Sequence, residues 1–197
     1  AALDEAYGAA LACGDLGLAA DLASDLGEVR ERAGDLRQAG AALDAALSAL
    51  EAAARQPSAG EGGYEARLAE ILNRLGRVAV RRGDAARAVR TLQTALRHAD
   101  AAGDRSLAVR VLGNLGQAQA VQGQPALARE TLGRALALAR QTGDQLATVK
   151  LLYNLARLQA DTPERARALA RESFDLSVEI GWREGEALGA ALRETLR

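Results

Sequence analysis

The pair Leu75-Gly76 returns as Leu115-Gly116 and, with one methyl added, as Leu155-Ala156, each 40 residues beyond the last. A period of that length marks a small structural unit that is stacked on copies of itself, because one unit alone cannot bury its apolar side. Eight residues after the first two leucines come Gly83-Asp84 and Gly123-Gln124. Ala88, Leu92, Ala95 and Leu96 follow in one copy, and Ala128, Leu132, Ala135 and Leu136 in the next. In the fourth copy the inner turn, Asp161-Thr162-Pro163, is two residues shorter, and Ala166, Ala170, Ser173 and Phe174 resume the series. The first copy, Leu26-Gly27, Gly34-Asp35, Ala39, Leu43, Ala46 and Leu47, lies 49 residues upstream of the second, one period plus nine residues. The insertion falls near Gln56-Pro57-Ser58-Ala59-Gly60-Glu61-Gly62-Gly63, whose helix breakers predict a surface loop.

Within each half-unit the apolar residues fall at three- and four-residue spacing, as in Val111, Leu112, Leu115 and Ala118, which is the helical period. Gly14-Asp15, Gly103-Asp104, Gly143-Asp144 and Gly181-Trp182 separate successive hairpins, glycine supplying the left-handed helix end. Thr162 reads as an N-cap, and Pro163 and Pro125 as first helical residues, where a missing amide donor costs nothing. Hydrophobic residues at 49% with only 3% aromatics suit closely packed helices better than sheets. Stacking would bury each leucine of the stripe for about 1.5–3 kcal/mol before entropy. The expectation is an all-α chain of about ten helices forming one solenoid over residues 1–197. A half repeat at 1–13 would precede repeats at 14–54, 64–102, 103–142 and 143–180, with the loop at 55–63. Residues 181–197 would be a capping helix or a truncated next repeat, with Leu188, Leu192 and Leu196 on one face and Trp182 at its base.

The ordered series Leu-Gly, Gly-Asp, Ala, Leu, Ala-Leu resembles the tetratricopeptide repeat over essentially the whole chain. Units of about 40 residues rather than 34 resemble the extended variety of kinesin light chains and of sensor regions in bacterial regulators; HEAT repeats share the length but not the glycine at the inner turn. The resemblance implies a right-handed α-solenoid whose first helices line a concave groove for a peptide or partner helix. Counted from the Leu-Gly mark, those positions are Asp21, Ser24, Asp25 and Glu28 in the first copy and Glu70, Asn73, Arg74, Arg77 and Arg81 in the second. They are Arg110, Asn114 and Gln117 in the third, and Lys150, Tyr153, Asn154 and Arg157 in the fourth. Tyr153 fits groove or core equally. Such a groove would be acidic at Asp21, Asp25 and Glu28 and basic afterwards. Its arginines would suit carboxylates, and its asparagines a peptide backbone. The carboxylate clamp of chaperone-binding relatives is matched at two of five places, Asn73, Arg77, Asn114, Lys150 and Asn154 standing where Lys, Asn, Asn, Lys and Arg are used.

Charge is uneven: residues 1–63 carry 4 basic and 11 acidic side chains, residues 64–197 carry 21 and 15, for a net −1. A net charge near zero and the lack of an aromatic platform argue against nucleic acid as partner. With no apolar run near ~20 residues and no basic-then-apolar leader, the reading is of a cytoplasmic chain that uses no membrane. Twenty-four arginines against one lysine fit a GC-rich bacterial genome. Cys13 is the only cysteine and takes a place held elsewhere by Ala102, which predicts a small packed residue. His98, the only histidine, falls near a helix end, where solvent or the helix dipole would meet it. No phosphate loop, zinc spacing, dinucleotide fingerprint or serine elbow is present, so no catalytic residue, metal or cofactor is expected. The reading is a non-enzymatic scaffold for a protein or peptide partner, with an acidic or carboxylate-bearing segment as the expected occupant. The alternative is the ligand- or domain-sensing portion of a larger bacterial signalling ATPase or transcription regulator. A start in mid-repeat and the absence of methionine suggest a piece of a longer polypeptide, with self-association or contact with flanking domains open to it.

Overall fold

Glycine closes most of the helices, and the residue after it opens the next. In the computed structural model, which describes residues 2–56, 63–159 and 162–195, Gly14, Gly34, Gly83, Gly103, Gly123, Gly143 and Gly181 have φ between 67° and 85°. That left-handed conformation crowds a Cβ, hence the glycine. The amide after the glycine returns to the carbonyl five residues earlier, Asp15 to Ala10, Asp84 to Ala79 and Asp144 to Ala139, at 2.9–3.0 Å. The same aspartates then turn to the following helix. Asp15, Asp35, Asp84 and Asp144 accept the amides of Leu18, Gln38, Arg87 and Ala147 at 2.9–3.0 Å. One dipeptide thus satisfies orphan carbonyls behind it and an orphan amide ahead of it. Gln124 and Thr162 give no side-chain cap, and Pro125 and Pro163 follow them. The Thr162 hydroxyl donates to Gln159 Oε1 at 2.9 Å, so Thr162 holds the N-cap position without the predicted cap bond.

The fold is all-α, with ten helices and no strand among the described residues. They are α1 (Ala2–Ala12), α2 (Leu16–Arg32), α3 (Leu36–Ala54), α4 (Tyr64–Arg81), α5 (Ala85–Ala101), α6 (Arg105–Val121), α7 (Pro125–Thr142), α8 (Gln145–Arg157), α9 (Pro163–Glu179) and α10 (Arg183–Thr195). Residues 57–62 of the loop expected at 55–63 and the turn residue Asp161 lie outside the described residues, as do Leu196 and the side chains of Leu192 and Arg193.

Two compact units result, Ala1–Asp104 and Arg105–Arg197. In the first, hairpins α2–α3 and α4–α5 pack through α3 on α4, with α1 on α2 and α2 beside α4. In the second, hairpins α6–α7 and α8–α9 pack through α7 on α8, with α6 beside α8 and α10 against α9 and α8.

The Leu-Gly mark is where the two helices of a hairpin touch. A Cβ on Gly27, Gly76 or Gly116 would lie 2.6, 2.4 or 2.5 Å from the Cγ of Leu43, Leu92 or Leu132, all three leucines being wholly buried. The glycine exists to admit that leucine. In the fourth copy Ala156 and Ala170 occupy the two registers, both buried, and the methyl gained on one helix is offset by the smaller side chain on the other. Cys13 corrects the sequence reading: it is exposed rather than packed, since its place is the end of the turn before Gly14. His98 pairs with Glu65, its Nδ1 2.5 Å from Oε2, instead of meeting only solvent.

Candidate functional site

First helices of neighbouring repeats lie side by side in each unit, so the residues read as groove-lining can be followed unit by unit. In the first unit the acidic and basic residues expected in separate sections meet each other. Arg67 reaches Asp21 at 2.7 Å and also donates to the Gly17 carbonyl. Arg74, whose side chain is 15% exposed, spends its guanidinium on Asp25 at 3.3 Å, Glu28 at 3.0 Å and Glu70 at 3.2 Å, and on the carbonyl and hydroxyl of Ser24. Arg77 and Arg81 converge on Glu31, whose side chain is 6% exposed; Arg81 also donates to its carbonyl at 2.7 Å.

Counting Arg32, which pairs with Glu28, five guanidiniums face five carboxylates. The α2–α4 face is therefore balanced, and its arginines are engaged in charge-assisted bonds that an incoming carboxylate would have to displace. Asn73, read as groove-lining, is 1% exposed and sits in the interior. Its register equivalent Ser24 is buried as well, so in the first unit this position is turned into the stack.

In the second unit the same register is open. Gln117 of α6, Val149, Lys150, Tyr153 and Asn154 of α8, Ser173 of α9, and Trp182, Gly185 and Leu188 at α10 line a cavity of about 310 Å³. That is near the lower end of the roughly 300–1,000 Å³ found for ligand pockets. Lys150 is its only charged lining residue, and the Lys150 Nζ stands 5.4 Å from the centroid of the Trp182 ring. Tyr153 is half-buried with the Arg157 guanidinium 5.7 Å from its ring centroid, so it belongs to the cavity wall. The Trp182 indole lies flat against α10 because Gly185 leaves room; a Cβ there would stand 2.2 Å from the ring. The Ser173 hydroxyl is committed to the Val149 carbonyl at 3.1 Å. Arg110 is exposed and Asn114 half-buried on α6, and neither lines this cavity.

Four predicted residues, Gln117, Lys150, Tyr153 and Asn154, thus share one cavity. Asp21, Asp25, Glu28, Arg74, Arg77 and Arg81 share an ion-pair ladder instead. Sequence reasoning missed Arg67 and Glu31 in the ladder. The available signal was an acid at position 31, where the next two copies carry Val80 and Ala120. It also missed Trp182 and Leu188 as walls; the signal was Trp standing where three other hairpin boundaries have Asp15, Asp104 and Asp144. Among the described residues no helix is long and apolar enough to cross a membrane, and no three His, Cys, Asp or Glu side chains gather as a metal would require.

Residues 67–141 match the sequence profile of the tetratricopeptide repeat family. Among solved structures, aspartyl phosphate phosphatase F from Bacillus subtilis superposes with a TM-score of 0.80 at 14% identity, over 90% of this chain and 45% of its own. Residues 67–141 thus carry tetratricopeptide repeats, and the chain shares their fold. Its repeats also superpose on the nearly identical TPR-like repeats of a Podosopora anserina kinesin light chain, with a TM-score of 0.62 at 15% identity over 88% of this chain and 92% of that one. The Rap conjugation gene regulator of plasmid pLS20, solved in complex with the Phr* peptide, gives 0.67 at 15% identity over 92% and 55%. The chain spans 45% of the length of the phosphatase and 62% of that of RapI, which it also resembles. A comparison with curated proteins by sequence gives no match.

Proposed function

We propose that this repeat scaffold is a non-enzymatic binding module that holds an acidic or carboxylate-bearing peptide segment of a partner protein, and that the second unit does the holding. One observation carries the reading: Gln117, Lys150, Tyr153 and Asn154, chosen by register alone, line a single cavity with one cation and no carboxylate. Lys150 offers a mobile ammonium to the acid, while the Asn154 and Gln117 amides can each donate to and accept from a peptide backbone. Arg157 at the cavity's edge adds positive charge. The arginines of the first unit serve a different end, tying α2 to α4. The likeness of fold to the Rap regulator solved with a peptide supports a peptide as the occupant.

The test is selection from a displayed library of random dodecapeptides on the whole chain, followed by binding to Lys150→Glu, Asn154→Ala and Arg77→Gln variants of unchanged helicity. Acidic binders that lose at least tenfold with the first two and under twofold with Arg77→Gln are the expected result. A library that yields no binder, or binders indifferent to Lys150 and Asn154, would remove the proposal.

A further inference from the structure

The cavity beside α10 is more selective than a site for acidic peptides in general, because most of what lines it is not polar. Val149, Tyr153, Trp182 and Leu188 supply its apolar wall, and Leu188 is 43% exposed. Of the two hydroxyls in the lining, that of Ser173 is already spent on the Val149 carbonyl and leaves its proton to no ligand, so only the Tyr153 phenol accompanies the apolar wall. Trp182 has little freedom to move aside, for its ring is pressed on Gly185. A volume of about 310 Å³ suits one bulky side chain and its flanking backbone rather than a folded segment. Within the lining the only charged residue is Lys150, 5.4 Å from the Trp182 ring centre, with Arg157 outside it over the Tyr153 ring. An ammonium over an indole at an exposed site is weakly held, so a carboxylate can draw it away.

Resting on the peptide-binding reading above, we infer that the cavity selects an extended partner segment in which a bulky apolar residue and an Asp or Glu are separated by one residue. The apolar side chain enters between Tyr153, Trp182 and Leu188, and the side-chain carboxylate meets Lys150. The spacing follows from extended backbone. Successive side chains point to opposite sides, so two that enter one cavity are two residues apart, roughly 6.6 Å along the segment. That step is about 1 Å longer than the 5.4 Å between the Lys150 ammonium and the indole it faces, a difference the flexible lysine covers as it leaves the ring.

Trp182 is the only tryptophan in the chain, so its emission reports occupancy of this cavity directly. The library above, displayed with both peptide ends fused so that no free terminal carboxylate is offered, should return sequences sharing an apolar–X–acid triplet. A synthetic capped copy of the leading sequence should shift Trp182 emission. Its affinity should fall at least tenfold when the apolar residue becomes Ala, and at least tenfold when the acid becomes its amide. Exchanging the charges, Lys150→Glu with Lys in place of the peptide acid, should restore binding to within about threefold. Leu188→Ser on the protein should weaken it with helicity unchanged. The peptide substitutions decide the matter should that variant misfold. Selected peptides that lack the triplet, affinities within twofold after the amide exchange, or binders obtained only from a library with free C-termini would each overturn this inference. In those cases the peptide-binding reading would still stand, whereas the complete absence of binders would overturn both.

Discussion

The first-helix faces of the two units fill the same register with different side chains, and the results differ. At one equivalent position the four copies carry Asp25, Arg74, Asn114 and Asn154. In the first unit Asp25 and Arg74 find each other, and around them ten charges cancel across α2 and α4. In the second, Asn154 leaves a cavity open beside a lone lysine and two aromatic rings. A repeat fixes the backbone and leaves the exposed flank to vary, so one stretch of solenoid can be closed upon itself while the next is kept for a partner. Whether a cation on such a face can bind is decided by what the neighbouring repeat sets opposite it.

The sharpest way to break this contrast is to place the same side chain at both equivalent positions. Arg74→Glu sets a fourth carboxylate among Asp25, Glu28 and Glu70 and should cost about 3–5 kcal/mol, read by urea unfolding and by faster hydrogen exchange in α2 and α4. Asn154→Glu, on the open face, should cost less than about 1 kcal/mol and instead remove peptide binding. Similar losses at both positions would erase the distinction between the faces.

The hairpin seam ought to behave alike in both units. Gly76→Ala and Gly116→Ala should each destabilise by about 1–3 kcal/mol, although Ala is the better helix former, because the new methyl meets a buried leucine. Combining Gly116→Ala with Leu132→Ala reproduces the fourth copy's pairing of Ala156 with Ala170. That double variant should lose less than the two single losses summed, as a double-mutant cycle would measure. Gly133, also helical but with nothing within 4 Å of its Cβ position, is the control: Gly133→Ala should stabilise by about 0.5–1 kcal/mol in thermal unfolding. The smallest effect is ionic. Moving from about 0.05 M to about 1 M NaCl should weaken the first unit by a few tenths of a kcal/mol relative to the second, as exchange in α4 and α8 would show.

What was legible in the sequence is what the backbone imposes locally. Gly-Asp, at the four boundaries where its aspartate caps, carries its reason within six residues, a positive φ and then a cap, so those helix ends could be read directly. The seam glycine is a similar case, since Gly76 answers to a single leucine, Leu92, on the very next helix. The flank was less legible. Of the groove positions counted back from the Leu-Gly mark, Lys150 and Asn154 line the open cavity, but the same count included Asn73, which in the first unit turns into the stack. Arg74 looked available because two of its three carboxylate partners, Asp25 and Glu28, lie more than a full repeat away on α2. Trp182 was placed at the base of the last helix, yet its role as a wall depends on α8 lying beside α10, which no local pattern encodes.

The central claim is that a partner segment lies on the second unit and leaves the ion-pair ladder of the first untouched. Hydrogen–deuterium exchange of the whole chain, with and without a saturating library-derived peptide, tests it most directly. Slower exchange in α8 and α10 with α2 and α4 unchanged is the predicted result; slower exchange in α2 and α4 with α8 and α10 unchanged would contradict it.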